Sequence, residues 1–577
     1  MTMVNLKIND MPVSVPEGTT ILDAARTLGI KIPTLCHIKM DCLGVEHKAG
    51  SCRICVVEIA NRPNLAPSCC TPVAEGMVVK TNSLRAISAR RTVLGLLLSN
   101  HPKDCLICAM NQQCELQSLA HEFDMHEIKY QGAQTEFPID ISSGAIRRDL
   151  NKCVMCRRCE TACNVVQTVG VLSGINRGFE ATVGPEELKP LLETSCTFCG
   201  QCVLACPVGA LTEIGYKDDV WREINDPTKH VVVQTAPSVR VALGEEFDMP
   251  AGSITTGKMV AALRRLGFAK VFDTDFSADL TIMEEGTELI NRIKTGKNLP
   301  ILTSCCPGWV NFFEHQFPEL MHMPSTAKSP QQMFGSIAKS YYAEKVGVKP
   351  KDLIVVSIMP CLAKKYEAAR PEFAPDGVRD VDYVLSTREL AAMIKEAGVM
   401  FSALKDEEYD NPLGESTGAG VIFGASGGVL EAALRTANDI LSGKDIKEID
   451  FVAIRGLEGI KEATVQVGGM DLQVAVCSGL GNARKLLTKI RNGEAKYHAI
   501  EIMACPGGCI NGGGQPYTGS NLKTLEERKN AIYQVDKNLP IRKSHQNPSI
   551  IKLYNDYLGE PGSQLAHKLL HTHYFAR

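Results

Sequence analysis

The sequence predicts a multidomain chain, α+β in its N-terminal part and α/β with parallel sheets from about residue 221 onward. Three observations carry this. The chain has 577 residues, several times the ~100–200 of one domain. Most of its 23 cysteines stand at short, regular spacings, many of them between Cys36 and Cys206. Beyond them, apolar strand candidates alternate with helical stretches rich in Ala, Leu and Lys. A composition of 44% hydrophobic and 22% charged residues is that of a globular protein. A net charge of -3 argues against a nucleic-acid footprint, which would normally be basic. Apolar runs such as Val93 to Leu98 fall far short of the ~18 residues a bilayer span requires. The first residues lack a charged-then-apolar signal segment, so a cytoplasmic location is expected. There, thiols stay reduced, and a chain this rich in cysteine points to metal ligation over disulfides.

Residues 1–82 are expected to form a β-grasp domain resembling plant-type 2Fe-2S ferredoxins. Residues 4–16 alternate apolar and polar positions around Asn9-Asp10, a hairpin signal, and Thr19/Thr20 precede the helical stretch ILDAARTLGI. Cys36, Cys52, Cys55 and Cys69 then follow the two-iron pattern, whose usual first gap of four residues is stretched here to fifteen by an inserted loop. Cys70 competes with Cys69 for the last position. The P-x-C-x-T-P-V surroundings favour Cys69, with Cys70 in the variable slot and Cys42, in the insertion, a spare thiol.

Residues 83–126 open with helical spacing in LRAISARRTVLGLLL and continue as His101-x3-Cys105-x2-Cys108-x5-Cys114. A 4Fe-4S cluster held by one histidine and three cysteines is the expected occupant. A zinc site made by the same imidazole and three thiolates is the alternative that spacing alone leaves open. Replacing one thiolate by imidazole makes such a cluster less negative and generally raises its potential. Residues 115–145 read as a connector.

Residues 140–220 carry a doubled run, Cys153-x2-Cys156-x2-Cys159-x3-Cys163 and Cys196-x2-Cys199-x2-Cys202-x3-Cys206-Pro207. In this bacterial 2x(4Fe-4S) arrangement three cysteines hold one cube and the fourth reaches the other. The expected sets are Cys153, Cys156, Cys159, Cys206 and Cys163, Cys196, Cys199, Cys202. Asn164 stands where a proline is usual, a departure that affects the turn and not the ligand count.

In residues 221–577 the strand candidates HVVVQTA, LPILTS, LIVVSIMPC and AIEIMAC mark an α/β domain. Three of them end in cysteine: Cys305-Cys306, Cys361, and Cys505 with Cys509 close behind. Ligands gather beyond the carboxyl ends of strands in such sheets, so four thiolates can converge on one metal centre. Adjacent Cys305 and Cys306 point to opposite faces of extended backbone, which leaves one of them free. Gly418-x-Gly420-x3-Gly424 and Gly479-x-Gly481-x2-Arg484 both miss the dinucleotide fingerprint. The run His567 to His573 reads as a surface helix and tail, and Cys477 has no assigned role.

TSCCPGW at 303–309, MPCLAKKYE at 359–367 and EIMACPGGCINGGGQP at 501–516, in that order behind four accessory cysteine groups, make the chain resemble the FeFe hydrogenases over nearly its whole length. The multi-domain monomeric type of fermentative anaerobes is the nearest in outline. The resemblance implies a two-lobed catalytic domain holding an H-cluster, a 4Fe-4S cube joined through one cysteine sulfur to a two-iron unit that carries CO, cyanide and azadithiolate. It implies that Cys306, Cys361, Cys505 and Cys509 bind the cube, with Cys509 bridging. It further implies one 2Fe-2S and three accessory 4Fe-4S clusters, ferredoxin or flavodoxin as electron partner, and maturation proteins that insert the two-iron unit.

By the same resemblance Cys305 passes protons to the bridging amine. In TIMEEGTELINRI, Glu285, Glu288 and Arg292 lie at i, i+3 and i+7, one face of a helix; alone that spacing would be a solvated charged face. The resemblance makes them a proton relay, with Ser325 as a link. Lys364 matches a lysine that donates to a cyanide ligand, and Ala236, Pro237, Ser238, Pro330, Gln331, Met359, Phe423 and Met503 match walls of the two-iron unit. Gly512-Gly513-Gly514 is expected to let backbone approach the cluster. Reversible proton reduction is the implied activity. The competing readings are an iron-sulfur subunit of an NADH-linked or electron-bifurcating complex, which residues 1–215 alone resemble, and a redox or H2 sensor.

Overall fold

A computed structural model describes residues 2–40, 44–48, 50–518 and 521–577. Cys42 lies outside the described residues. The hairpin forms as expected: strands Met3–Ile8 and Met11–Pro16 pair antiparallel with Ile8 opposite Met11. Asn9 and Asp10 both take positive φ, +50° and +67°, as a type I′ turn requires. Alternation buries Val4, Leu6 and Ile8 on one face. The Thr20 side chain accepts from the Asp23 backbone N–H at 3.1 Å and starts the helix Ile21–Thr27. These strands join Val78–Lys80, Val56–Ile59 and Ala66–Pro67 in a five-stranded mixed sheet, in the order Met11–Pro16, Met3–Ile8, Val78–Lys80, Val56–Ile59, Ala66–Pro67.

The helix Leu84–Asn100 leaves from a Ser83 cap and is tied to this sheet by buried Arg90, whose Nε and Nη2 donate to the Val56 carbonyl at 3.0 and 2.8 Å. The stretch 115–145 is not all connector. Glu115–Glu122 is a helix that starts at Cys114 and buries Leu116 and Leu119, a three-residue spacing too short to stand out in the sequence.

Strands Ile146–Arg148 and Leu211–Glu213 close the next unit antiparallel, with Leu211 opposite Arg148. Its two cysteine runs fold alike. Met155 and Phe198, each just before the second cysteine of its run, have φ +53°, and Arg157 and Gly200, each just after it, have φ +63° and +76°. At Asn164 the chain continues in a wide helical turn, Ala162–Val166, and the Asn164 amide donates to the Leu172 carbonyl at 2.8 Å.

The C-terminal part is built on two sheets. Lys270–Asp273, His230–Thr235, Leu353–Met359 and Tyr383–Ser386 are all parallel. The second sheet corrects the expectation of parallel sheets throughout. Ile301–Leu302, Ala499–Met503 and Met470–Ser478 run parallel, but Ile460–Val467 pairs antiparallel with Met470–Ser478 through a tight Gly468-Gly469 turn. Both glycines have positive φ, +57° and +81°, which suits a two-residue hairpin and leaves no length for a crossover. The 22-residue helix Thr274–Thr295 packs against Pro330–Ile337 on one side and Gly428–Ser442 on the other. Among the described residues no helix is long and apolar enough to cross a membrane.

Candidate active site

Each strand end delivers its cysteine for a local reason. Ile301–Leu302 runs into Cys305 and Cys306, and Cys306 is the N-cap of the helix Pro307–Gln316, where proline in the first turn is pre-set for helix. The Cys306 sulfur accepts from the Ala504 backbone N–H at 3.4 Å, which joins two of the strand ends. Cys361 follows Leu353–Met359, and Cys505 and Cys509 follow Ala499–Met503. Cys305, Cys306, Cys361 and Cys509 line one cavity of about 70 Å³. Cys505 is buried and outside that lining; burial first, then the neighbouring Cys361, Cys306, Cys199 and Cys509, push its thiol well above the ordinary range.

All eight wall residues expected from the resemblance line this cavity, together with Thr274, Pro307 and Pro360, which sequence reasoning missed. Proline and threonine there carry no spacing signal. The Gln331 side-chain oxygen is buried with no partner. Lys364 is no surface lysine: its Nζ donates to the Cys305 carbonyl at 3.0 Å and to Glu367 Oε2 at 2.9 Å. Burial opposes its charge, but Glu367, and the Cys305 and Cys361 sulfurs beside it, raise its pKa above the ordinary value. Glu367 was also missed. Its Oε2 further accepts from Ser329 Oγ at 2.9 Å and from Gln331 Nε2 at 3.0 Å.

The glycine run 512–514 admits close packing of neighbouring chain. A Cβ on Gly512 would strike the Pro360 carbonyl, one on Gly513 would lie 2.7 Å from the Gly200 Cα, and one on Gly514 2.8 Å from the Ser386 Cβ. These glycines admit neighbouring backbone and side chain, so the Cys509 loop seats on the Cys361 loop and on the Cys199-Gly200 turn.

Cys305 is buried, and burial, with Glu285 and Cys306 next, pushes its thiol well above the ordinary range. Glu285 is likewise buried; burial first and Glu288 second raise its pKa to about 8. Its Oε2 has no hydrogen-bond partner. Farther out the network is complete. Glu288 accepts from Ser325 Oγ at 2.8 Å, from the Thr326 N–H at 3.2 Å and from Arg292 Nη2 at 2.5 Å. Glu288 and Arg292 open onto a surface pocket of about 590 Å³. Both carboxylates and the arginine therefore share a face of the Thr274–Thr295 helix, and the solvated-face reading fails for Glu285.

The accessory cysteines also gather in sets. Cys36, Cys52, Cys55 and Cys69 are buried. Hydrogen bonds from Cys52 and Cys69 lower the Cys36 thiol, and one from Cys69 lowers Cys55 to about 6. Cys70 is exposed and turned to the Pro67 carbonyl, 3.8 Å away. His101 has a buried, unpartnered Nδ1, and burial lowers its pKa, so the ring offers a free lone pair. Cys114 is buried, Cys108 half-buried and Cys105 exposed. In the doubled run, Cys159 feels Cys156, Cys153 and Cys206, whereas Cys163, Cys196, Cys199 and Cys202 line a small common cavity. Cys477 is a core residue of the strand Met470–Ser478.

The residues around the larger cavity fit the H-cluster in kind: four thiols for soft iron, Cys361 and Cys505 buried and Cys306 and Cys509 half-buried, an ammonium for an anionic ligand, and an unpartnered amide oxygen on a residue of the same wall. Soft thiolates with apolar walls suit an iron-sulfur group.

Comparison with known proteins agrees. Residues 229–513 match the family described as iron only hydrogenase large subunit, C-terminal domain, and residues 522–577 the iron hydrogenase small subunit. Residues 1–83 match a 2Fe-2S iron-sulfur cluster binding domain, 90–129 the NADH-ubiquinone oxidoreductase-G iron-sulfur binding region, and 191–212 a 4Fe-4S binding domain. An NADP-reducing hydrogenase subunit, HndD, of Solidesulfovibrio fructosivorans is 57% identical, with 100% of each chain covered. Iron hydrogenase 1 of Clostridium pasteurianum is 42% identical over 99% of this chain and 100% of its own. Among solved structures, a single-residue variant of apo [FeFe]-hydrogenase HydA1 from Chlamydomonas reinhardtii superposes with a TM-score of 0.57 at 45% identity, covering 63% of this chain and 99% of its own.

Proposed function

Because the chain belongs to the iron-only hydrogenase family, we propose that it interconverts protons and H2, two protons and two electrons combining at a buried H-cluster. The observation that carries the reading is the convergence of strand-end cysteines on one apolar cavity, with a further thiol, Cys305, buried beside Glu285. When bound, the cofactor supplies the redox metal site and the basic amine at which protons and electrons meet.

The chain's own residues bind, seal and feed that site. Cys306, Cys361, Cys505 and Cys509 would hold the cube, and Cys509 would supply the sulfur that links it to the two-iron unit. Lys364, its charge maintained by Glu367, lines the cavity and would offer its ammonium to an anionic ligand of the bound cofactor. The apolar walls exclude water, which strengthens every charge interaction inside. Cys305 holds a proton at Sγ because burial disfavours its thiolate, and Glu285, protonated near neutral pH, is the next carrier. Ser325 and Glu288 continue the relay, and Arg292 holds Glu288 at the surface pocket.

Cys36, Cys52, Cys55 and Cys69 would hold a 2Fe-2S cluster, His101, Cys105, Cys108 and Cys114 a 4Fe-4S cluster, and the doubled run two cubes, which would supply one-electron carriers between the partner and the site. The cube on Cys163, Cys196, Cys199 and Cys202 is the last of them, since a Cβ built on Gly308, two residues after Cys306, lies 3.6 Å from the Cys199 Cβ. Ferredoxin or flavodoxin is one electron partner. The name of the 57% identical relative favours a second, a partner subunit that carries the NADP chemistry. H2 evolution by anaerobically matured protein separates them. Turnover with reduced ferredoxin alone supports the first. Turnover with NADPH only after a co-purifying subunit is restored supports the second.

A further inference from the structure

Of the terminal histidines, His567 and His573 are exposed, as expected of a surface helix and tail, but His571 is not. His571, at the end of the helix Gln564–Leu570, has a side chain only 7% exposed. Its Nε2 lies 2.9 Å from Glu284 Oε2, and its Nδ1 2.8 Å from Thr326 Oγ1. Glu284 already accepts from the Tyr554 hydroxyl and from the Gly562 N–H. In the neutral ring Nε2 therefore carries the proton given to Glu284, and Nδ1 accepts from the Thr326 hydroxyl. The backbone follows suit. The Thr572 N–H donates to the Thr326 carbonyl and the Lys328 N–H to the Leu570 carbonyl, each at 2.8 Å, and Ala327 bridges antiparallel to His571.

The relay described above stands on two separate pieces of chain. Glu285, Glu288 and Arg292 ride on the Thr274–Thr295 helix, whereas Ser325 sits on the turn after Pro324. Proton transfer requires the Ser325 hydroxyl within hydrogen-bond reach of its carboxylates, so a drift of the turn against the helix interrupts it. Arg292, which donates to the Met323 and Pro324 carbonyls, fixes the near side of the turn to the helix, while the Ser325 N–H on the Leu302 carbonyl at 2.8 Å ties the turn to the neighbouring strand and not to the helix. Thr326, on the far side, has its backbone N–H on Glu288 and its side chain on His571.

We propose that His571 is a positioning residue of the proton relay: by joining Glu284 on the helix to Thr326 on the turn, it cross-links the two elements that carry the relay. Glu284 touches none of the relay groups through its side chain. It follows Met283 and precedes Glu285 on the same helix, so its anchor is rigidly coupled to theirs. The C-terminal segment thus functions as the outer brace of the proton path. This proposal rests on the relay reading.

The test compares matured His571→Ala, His571→Gln, Thr326→Val, Thr326→Ser and Ser325→Ala proteins. Thr326→Val removes the hydroxyl bond without touching the C-terminal helix, which keeps the test alive where His571→Ala fails to fold. The expected result for His571→Ala and Thr326→Val is turnover reduced between about ten- and a hundredfold, with a larger solvent deuterium isotope effect. CO and cyanide infrared bands stay unchanged, and amide exchange across 324–328 is faster. Thr326→Ser, which keeps the hydroxyl, restores turnover, and His571→Gln, which reaches Glu284 but not Thr326, does not. Wild-type turnover and isotope effect in Thr326→Val, with Ser325→Ala inactive, would overturn the role of His571 and leave the relay standing. Wild-type turnover in Ser325→Ala as well would bring down the relay reading itself.

Discussion

The ammonium of Lys364 donates to the backbone carbonyl of Cys305 at 3.0 Å, tying the loop after one parallel sheet to the free thiol at the edge of the other. The same ammonium is held by Glu367 on its own helix, Ala363–Ala368, so the contact between the two sheets is made by one member of a buried ion pair at the wall of the cavity. Removing one member of such a pair leaves an uncompensated charge, a destabilisation of about 3–5 kcal/mol. Glu367→Gln is expected to lower the thermal unfolding midpoint of the protein and reduce the intensity of its CO and cyanide bands after maturation. An unchanged midpoint with full band intensity would show that Lys364 does not depend on Glu367.

Cys305→Ala is expected to retain the iron-sulfur signals and the diatomic bands while turnover falls by about 10²- to 10⁴-fold, the range of one positioned acid–base group. Cys306→Ala is expected to lose the bands as well, since it removes a cube ligand. Comparable turnover in Cys305→Ala and wild type at equal cofactor content would refute the role of this thiol.

Glu285 gives a pH signature. Its pKa is raised in the folded chain from 4.5 to about 8, chiefly by burial. The folded state therefore binds this proton more tightly than the unfolded state. The associated stability is full below the ordinary carboxylate pKa and is lost as pH rises through about 8. Glu285→Gln, which cannot ionise, is expected to lose less thermal stability than wild type between about pH 5 and pH 8 and to be inactive at both. Parallel stability profiles would place the raised pKa elsewhere.

At the accessory end, Cys69→Ser is expected to abolish the 2Fe-2S electron paramagnetic resonance signal, whereas Cys70→Ser leaves it intact, because Cys69 is buried among the other three cysteines and Cys70 is exposed. Loss of the signal only in Cys70→Ser would reverse the assignment.

His101→Cys is expected to keep a 4Fe-4S signal and shift its potential downward, since a thiolate adds negative charge where imidazole adds none. A stoichiometric zinc content in the wild-type protein, with no signal lost in His101→Ala, would favour the zinc alternative.

Local chemistry made much of this legible in advance. Asn9-Asp10 signals its turn because few residue pairs accept two positive φ values, and Thr20 signals its helix through a bond to its own third neighbour. The cysteines are legible through spacing, and Cys305, Cys361 and Cys505 through their position at the ends of apolar runs. What sequence reasoning missed is tertiary. Glu367 matters because Lys364, Ser329 and Gln331 all face it, and only Lys364 is close in sequence. His571 looks like any terminal histidine until Glu284, 287 positions away, is folded against it. Gly512 to Gly514 announce close approach but not what approaches, whereas the antiparallel edge strand Ile460–Val467 was legible in the Gly468-Gly469 pair that follows it, a two-residue hairpin signal that sequence reasoning passed over.

The central claim is tested most directly by H2 evolution from reduced methyl viologen with anaerobically matured protein, recorded beside infrared spectra of the same sample in the CO and cyanide region. Turnover accompanied by those bands is the predicted result. Full maturation without the bands would reduce the chain to an electron-transfer subunit, and bands with negligible turnover would make it a sensor; either contradicts the account.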